Sequence, residues 1–275
     1  MEHTQTYDAS TDPADEKNAE RGDAHRLVGS DRVLAVLKEL ARHPDGVGLE
    51  EMTRAIGAPK PTVHRALGSL RRAGLADQDG RGHYVLGDEF LRMAFAHHAA
   101  RPEHVRISPL LDTLATRFGE TAHYAVLDGH EVVYRAKVDP PSGAVRLTST
   151  VGGRNPAHCT AVGKLLLSYR LPTLEAVRDW VGADPLQRRT ARTRCTAEEL
   201  HQEFELIRER GYAVDDQENE TGVSCVALPV YAGSPAAPTG AISVSAVAYR
   251  TPLPALTDAV EEIRGLLGVL GTARP

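Results

Sequence analysis

Three short helical periodicities and one hairpin signal are crowded into residues 30–87, and few folds accommodate that order. Val33, Leu34, Leu37, Leu40 and Ala41 recur at helical spacing and predict a helix over residues 30–43. His43-Pro44-Asp45-Gly46 ends it with turn chemistry. Leu49, Met52 and Ile56 predict a short second helix that stops at Gly57. Pro59 and Pro61 interrupt any continuation, and Pro61 suits the first position of a third helix, where its missing N–H costs nothing. That helix carries Val63, Leu67 and Leu70 on one side and ends near Gly74. Two strand-like runs, 75–78 and 83–86, are joined by Asp79-Gly80-Arg81-Gly82. Helix, helix, helix, hairpin is the order of a winged helix-turn-helix.

Charge supports the same segment once its distribution is considered. The net charge of −5 argues at first against nucleic acid. Residues 1–24 hold Glu2, Asp8, Asp12, Asp15, Glu16, Glu20 and Asp23 with few apolar residues, the composition of a disordered acidic tail. Residues 60–76 are the opposite: Lys60, Arg65, Arg71 and Arg72 with no acid among them. A local basic patch is what phosphate contacts require.

With Val63, Leu67 and Leu70 turned inward, Thr62, His64, Arg65, Ser69 and Arg72 are left on exposed faces of the third helix. The N-terminal part of a recognition helix meets base edges in the major groove. Thr62, His64 and Arg65 are therefore candidates for bases or adjacent phosphates, and Lys60, Arg71 and Arg72 for the backbone. Arg81 and His83 fall at the hairpin, where a wing can reach the minor groove. A merely solvated helix face is the competing reading for each charge.

Residues 88–99 predict a further helix whose Phe90, Leu91, Met93, Ala94 and Phe95 cover more than one face. That width suits a linker helix that also meets a partner chain; packing on its own domain is the alternative. Arg101-Pro102 marks a boundary, giving a DNA-binding domain over 25–87, a linker helix over 88–101 and a second domain over 102–275. In the second domain helices are expected at 104–118, 161–170, 197–210 and 255–270. Strands are expected at 121–127, 130–138, 144–151, 211–216, 223–231 and 240–248. Consecutive strands with short turns such as Asp128-Gly129 indicate an antiparallel sheet flanked by helices, hence an α+β chain.

Two local features of that domain suggest a pocket. Thr160 is a good N-cap, leaving the N–H groups of Ala161 and Val162 as unpaired donors at the positive end of a helix. Ser243 and Ser245 share one strand face while Ile242 and Val244 share the other. A solvent-exposed face would equally suit paired serines.

The block APKPTVHRALGSLRRAGLADQD followed by YVLG resembles the DNA-binding domain of IclR-type regulators. That family usually has Lys-Ser-Thr-Val-His-Arg at the helix start, where this chain has Pro61 in the serine position. The likeness continues in order through GETAHYAVLDG, VGGRNPAHCTAVGKLLLS, RERGYAVDDQENETGVSCVALPV and GAISVSA, over residues 27–270. It implies a GAF-like second domain that binds small metabolites, often short carboxylates, in proteins that form dimers or tetramers. By resemblance Ala161, Val162, Asp215, Cys225, Ser243 and Ser245 fall on effector-contact positions, and Ala144, Leu147 and Asn155 on pocket walls. Asn155 stands where an apolar residue is common, a hint of a more polar effector.

Rival chemistries find less support. Val162-Gly163-Lys164 lacks the earlier glycine and the Ser/Thr of a phosphate-binding loop, since His158 and Leu165 stand there. His158, Cys159 and Cys225 could form a metal site or a Cys/His nucleophile pair, but adjacent His-Cys is not a usual zinc spacing and no Cys-x-x-Cys is present. A thiol- or metal-dependent enzyme on a GAF-like domain, and a DNA-binding adaptor without ligand response, remain the alternatives. No run approaches the ~18–20 apolar residues of a membrane span, and no signal peptide pattern opens the chain. The expectation is a cytoplasmic, cofactor-free and metal-free repressor, not an enzyme. Its partners would be duplex operator DNA, a small effector and further copies of itself.

Overall fold

A computed structural model of the 275-residue chain describes residues 29–99, 102–141, 147–231 and 237–271. The expected acidic tail and Ala144 lie outside these residues. The chain divides into two compact units at His98/Ala99.

In the first unit α1 (Gly29–Leu40), α2 (Leu49–Ile56) and α3 (Lys60–Arg72) precede a hairpin of β1 (Ala76–Gln78) and β2 (Tyr84–Leu86), followed by α4 (Asp88–Ala99). Val36, Leu40, Met52, Val63, Leu67 and Leu70 are buried together with Tyr84, so each helix contributes one apolar stripe to a common core. Val47 adds a third strand position by exchanging two 2.9 Å backbone hydrogen bonds with Tyr84. Gly57 ends α2 in the left-handed region at φ 65°, which glycine adopts without strain. The first helix stops at Leu40 because tighter bonds, from Arg42 N–H to Glu39 and His43 N–H to Leu40, take over. The third helix starts at Lys60, one residue before the expected Pro61, which costs nothing because every N–H of the first turn is unpaired within a helix. The Asp79–Gly82 turn closes as expected, with Asp79 N–H donating to His83 O at 2.8 Å.

The second unit is a six-stranded antiparallel sheet in the order β5-β4-β3-β8-β7-β6. Its strands are β3 (Thr121–Asp128), β4 (Glu131–Val138), β5 (Arg154–Pro156), β6 (Ala213–Asp216), β7 (Val223–Val230) and β8 (Gly240–Val247). One face is covered by α6 (Ala161–Arg170), α7 (Leu174–Val181) and α8 (Ala197–Arg210), with Leu165, Leu200 and Phe204 fully buried. The other is covered by α5 (Pro102–Phe118), α9 (Leu253–Asp258) and α10 (Val260–Leu267), where Leu111, Ile242 and Val244 meet Ile263. Burying one such side chain is worth about 1.5–3 kcal/mol, and both faces are filled.

Several expectations are corrected here. The strand expected over 144–151 does not form in its described part. The Leu147 and Ser149 carbonyls accept from Lys137 Nζ, each at 2.8 Å, and Thr150 O accepts from Gly153 N–H, so none is free for a ladder. The ladder resumes at β5. Residues 211–212 belong to no strand, because Gly211 caps α8 in the left-handed region. The helix expected over 255–270 begins earlier and tightens at Ala259 into α9 and α10. Helix α7 escaped the periodicity because only Val177 of its residues is buried.

Candidate functional site

Helix α3 presents the residues expected to read DNA. His64, Arg65, Arg71 and Arg72 are exposed and Thr62 and Ser69 half-buried, while Val63, Ala66, Leu67 and Leu70 hold the helix to the core. Lys60 pairs with Glu50 of α2 at 3.1 Å, so the basic patch is partly offset by an acid outside its own segment. Arg71 donates to Gln78 of the wing and Arg72 to Ser69. Arg81 pairs with Asp79 at the hairpin turn, and the half-buried His83 is tied to the same carboxylate through its backbone. Arg65 makes no side-chain bond among the described residues and is the least committed cation of α3.

The second unit holds a cavity of about 220 Å3 on the α6 side of the sheet. It is smaller than the ~300–1,000 Å3 of pockets for drug-sized ligands. Strand register explains its polar floor. Thr121, Ser245, Cys225 and Asp215 stand opposite one another across β3, β8, β7 and β6, so one row of side chains crosses four strands on one face, and the last three line the cavity. His123 pairs with Ser243 in the next row. A bulge opposes Tyr124 to Ala136 and Ala125 to Tyr134, leaving Arg135 as the extra residue. It places Tyr134 and Lys137, three apart in sequence, on the cavity side, while Ala136 packs on the other face.

Helix α6 closes the cavity with its N-terminus. Thr160 caps it as expected, accepting from Gly163 N–H at 3.2 Å. The N–H groups of Ala161 and Val162 line the cavity without a backbone partner. Eight of the nine expected effector residues line this one cavity: Leu147, Asn155, Ala161, Val162, Asp215, Cys225, Ser243 and Ser245. The sequence reading missed His123, Tyr134, Ser149 and Arg189. His123 and Tyr134 depend on register and a bulge, while Ser149 and Arg189 lie on irregular segments without periodicity.

Burial sets the charge states inside. His123 is held neutral, its pKa pushed down to about 3 by burial and by Lys137. Its ring nitrogens reach Ser149 Oγ at 2.8 Å and Ser245 Oγ at 3.3 Å, and Ser245 reaches Ser243 at 3.4 Å. This chain of neutral groups can face a hydroxyl or carbonyl. Asn155 donates to the Tyr134 hydroxyl at 3.2 Å, leaving the phenolic proton available. Burial raises Asp215 to about 7, opposed by Lys164 and by Glu218 N–H, which donates to Asp215 Oδ1 at 2.7 Å. Burial pushes Cys159 up to about 12 and Cys225 higher still, so both thiols stay protonated near neutrality. His158 Nε2 lies 2.9 Å from Gln187 O, and its ring contributes nothing to this cavity's lining. Among the described residues no cluster of three metal-ligating side chains occurs.

A winged helix-turn-helix followed by a sheet domain enclosing a small polar cavity defines a DNA-binding regulator with a ligand-binding domain. Residues 29–80 match the IclR helix-turn-helix domain, and residues 103–265 match the domain described as bacterial transcriptional regulator IclR C-terminal. The chain belongs to the IclR family of transcriptional regulators. It is 30% identical over 222 residues to the Pca regulon regulatory protein of Pseudomonas putida, covering 81% of this chain and 75% of that protein. The Thermotoga maritima IclR structure superposes with a TM-score of 0.66 at 25% identity, over 87% of this chain and 98% of that one. An IclR homologue of Microbacterium hydrocarbonoxydans, solved with 4-hydroxybenzoate, shares the fold with a TM-score of 0.70 at 21% identity, over 86% and 98% of the two chains. No helix among the described residues is long and apolar enough to cross a membrane.

Proposed function

We propose that the protein is a cytoplasmic repressor whose grip on operator DNA changes when a small organic metabolite enters the cavity of the second unit. The observation that carries this reading is that cavity. Residues from all six strands of the sheet and the N-terminus of α6 converge on it, in the same chain as an exposed basic helix. The winged helix over 25–87 reads DNA through Thr62, His64, Arg65 and Ser69, with Lys60, Arg71, Arg72, Arg81 and His83 on phosphates or the flanking minor groove. Residues 102–275 sense the ligand. The 4-hydroxybenzoate held by the Microbacterium homologue supports a ligand of that size and polarity.

Helix α4, Asp88–Ala99 within the expected linker, supports dimerisation. Its Leu91, Met93 and Phe95 are 44%, 53% and 69% exposed, an unusual load of bare apolar surface for one helix. Two copies, or a dimer of dimers, would set two recognition helices on half-sites ~34–36 Å apart or a multiple of it. To act as a switch the ligand must bind the DNA-competent and incompetent states unequally, typically by ~1–3 kcal/mol. A thiol enzyme is disfavoured because Cys225 of the lining and the nearby Cys159 are held protonated and His158 is engaged elsewhere. Gel shifts with genomic fragments, repeated with a metabolite panel, test the proposal. Absence of any sequence-selective shift at moderate salt would sink the regulator reading, and shifts that no metabolite alters would sink the sensing half.

A further inference from the structure

The segment between α7 and α8 carries Arg188, Arg189, Arg192 and Arg194, and of these four only Arg189 lines the cavity. Arg192 pairs with Asp216, and Arg194 Nη1 lies 2.7 Å from Glu218 Oε1. Arg189 lines the cavity, yet among the described residues its only side-chain bond runs from Nε to the Asn219 carbonyl at 2.9 Å. Among the described residues no carboxylate lies within ion-pairing distance of its guanidinium, so its terminal N–H donors stand free.

Arg189 is also held in place. Its backbone N–H donates to Thr193 Oγ1 at 3.1 Å. Thr190 Oγ1 donates to Gln217 O and Thr193 Oγ1 to Glu218 O, each at 2.7 Å. The arm is thus stitched to the loop that leaves β6, and the guanidinium is positioned before any ligand arrives. Asn219 links it to the start of α6, because its side-chain oxygen accepts from Cys159 Sγ at 3.7 Å. The Arg189 charge is felt there too, drawing the Cys159 pKa down against burial.

Apart from the N-terminus of α6, the rest of the lining does not favour an anion. Arg154 is neutralised by Asp128 and Glu131, and His123 is uncharged. Asp215 and Glu220 are acids, the first held half-protonated near neutrality and the second exposed at the rim. Without Arg189 no unpaired cationic side chain would offset these acids in the lining.

We propose that Arg189 is the specificity-determining residue of the cavity, anchoring the carboxylate of a small organic acid beside the free N–H groups of Ala161 and Val162. This rests on the cavity being the effector site. A guanidinium whose two terminal NH2 groups are free matches a carboxylate in fork geometry, and charge-assisted bonds of this kind are about twice as strong as neutral ones.

The test is calorimetric titration and thermal shift of the full chain with benzoate, 4-hydroxybenzoate and succinate, each beside its primary amide. The variants are Arg189→Gln and Arg189→Lys. The expected result is that at least one acid binds and its amide binds at least tenfold more weakly. Arg189→Gln should weaken the acid at least tenfold and the amide less than threefold, with Arg189→Lys recovering part of the acid's affinity. Equal binding of acid and amide, or undiminished binding of the acid to Arg189→Gln, overturns the anchor. If Arg189→Gln melts earlier than the wild type without ligand, Arg189→Lys decides: an acid-to-amide ratio above that of the wild type overturns the proposal. Failure of every acid while a cell metabolite extract still stabilises the wild type overturns the anchor and leaves the effector cavity standing. Failure of acids, amides and extract together sinks both.

Discussion

Lys164 donates to Glu218 where both side chains are buried, and Glu203 lies 3.8 Å from the same ammonium. Arg194 and Arg210 complete the group from its outer side, at 2.7 Å from Glu218 and Glu203. This ion network ties α6, whose N-terminus closes the cavity, to α8 and to the loop carrying Asn219. Removing one partner of a buried pair leaves an uncompensated charge and costs about 3–5 kcal/mol, whereas replacing both with apolar groups is often nearly neutral. Lys164→Met should therefore lower unfolding stability by about 3 kcal/mol or more, and Lys164→Met/Glu218→Leu should recover part of that loss. Urea denaturation of the three proteins reads the difference; a double variant no better than the single would refute the network account.

Gly163 is required by contact rather than by conformation. A Cβ there would stand 2.2 Å from the Ala157 carbonyl oxygen and 2.5 Å from its Cα, both backbone atoms that cannot rotate away. Gly163→Ala must push the first turn of α6 off the preceding 3-10 turn. The expected cost is at least the ~1–3 kcal/mol of an overpacked core, with loss of ligand-induced stabilisation because Ala161 and Val162 move with that turn. Melting temperatures with and without ligand check both halves.

Asp215 makes stability fall as pH rises. Its native pKa of about 7 lies well above the 3.8 of a free aspartate, so between those values the native state keeps a proton that the unfolded chain has lost. Stability attributable to this residue is complete below pH ~4, drains away up to pH ~7 and is flat beyond, a change of about 3–5 kcal/mol. His123, neutral in the fold, works in the opposite sense below its ordinary value, so only the difference between variant and wild type isolates Asp215. Asp215→Asn keeps an oxygen for the N–H groups of Glu218 and Asn219 and cannot ionise. The variant should gain stability relative to wild type steadily from pH 4 to pH 7 in denaturant titrations. A pH-independent difference would show that the carboxyl does not titrate in that window.

What was legible in the sequence follows the range of the signals. Local patterns were read well: the stripes of α1 to α3, the Asp79–Gly82 turn, the Thr160 cap and the alternation placing Ser243 and Ser245 opposite Ile242 and Val244 all act within a few residues. The resemblance then aligned Asp215 and Cys225 with that pocket. What escaped depends on pairing between distant strands or on segments with no period. Tyr134 reaches the cavity only because Arg135 bulges out of β4, and His123 only because β3 pairs with β8 in one register. The 144–151 segment read as a strand because its β-branched residues are indistinguishable from one until Lys137 claims the Leu147 and Ser149 carbonyls. Arg189 had no signal, since the hydrogen bonds holding it run to residues about thirty positions away in sequence.

Arg65 distinguishes base reading from charge on α3. It is exposed, makes no side-chain bond among the described residues and sits on the first half of the helix, so its loss should leave the fold intact. Lys60, by contrast, already pairs with Glu50 at 3.1 Å and would release that acid on replacement. If Arg65 meets a base edge, Arg65→Ala should cost about 1–3 kcal/mol on a selected operator and relax preference at one base position. If Lys60 meets a phosphate, Lys60→Ala should weaken all sequences alike and reduce the slope of log affinity against log salt by about one. Fluorescence anisotropy on operators enriched from genomic fragments, at several salt concentrations, separates the two behaviours. Arg65→Ala binding every operator variant with the wild-type ranking and affinity would remove it from the reading surface and leave Thr62 and His64 as the side chains that specify sequence.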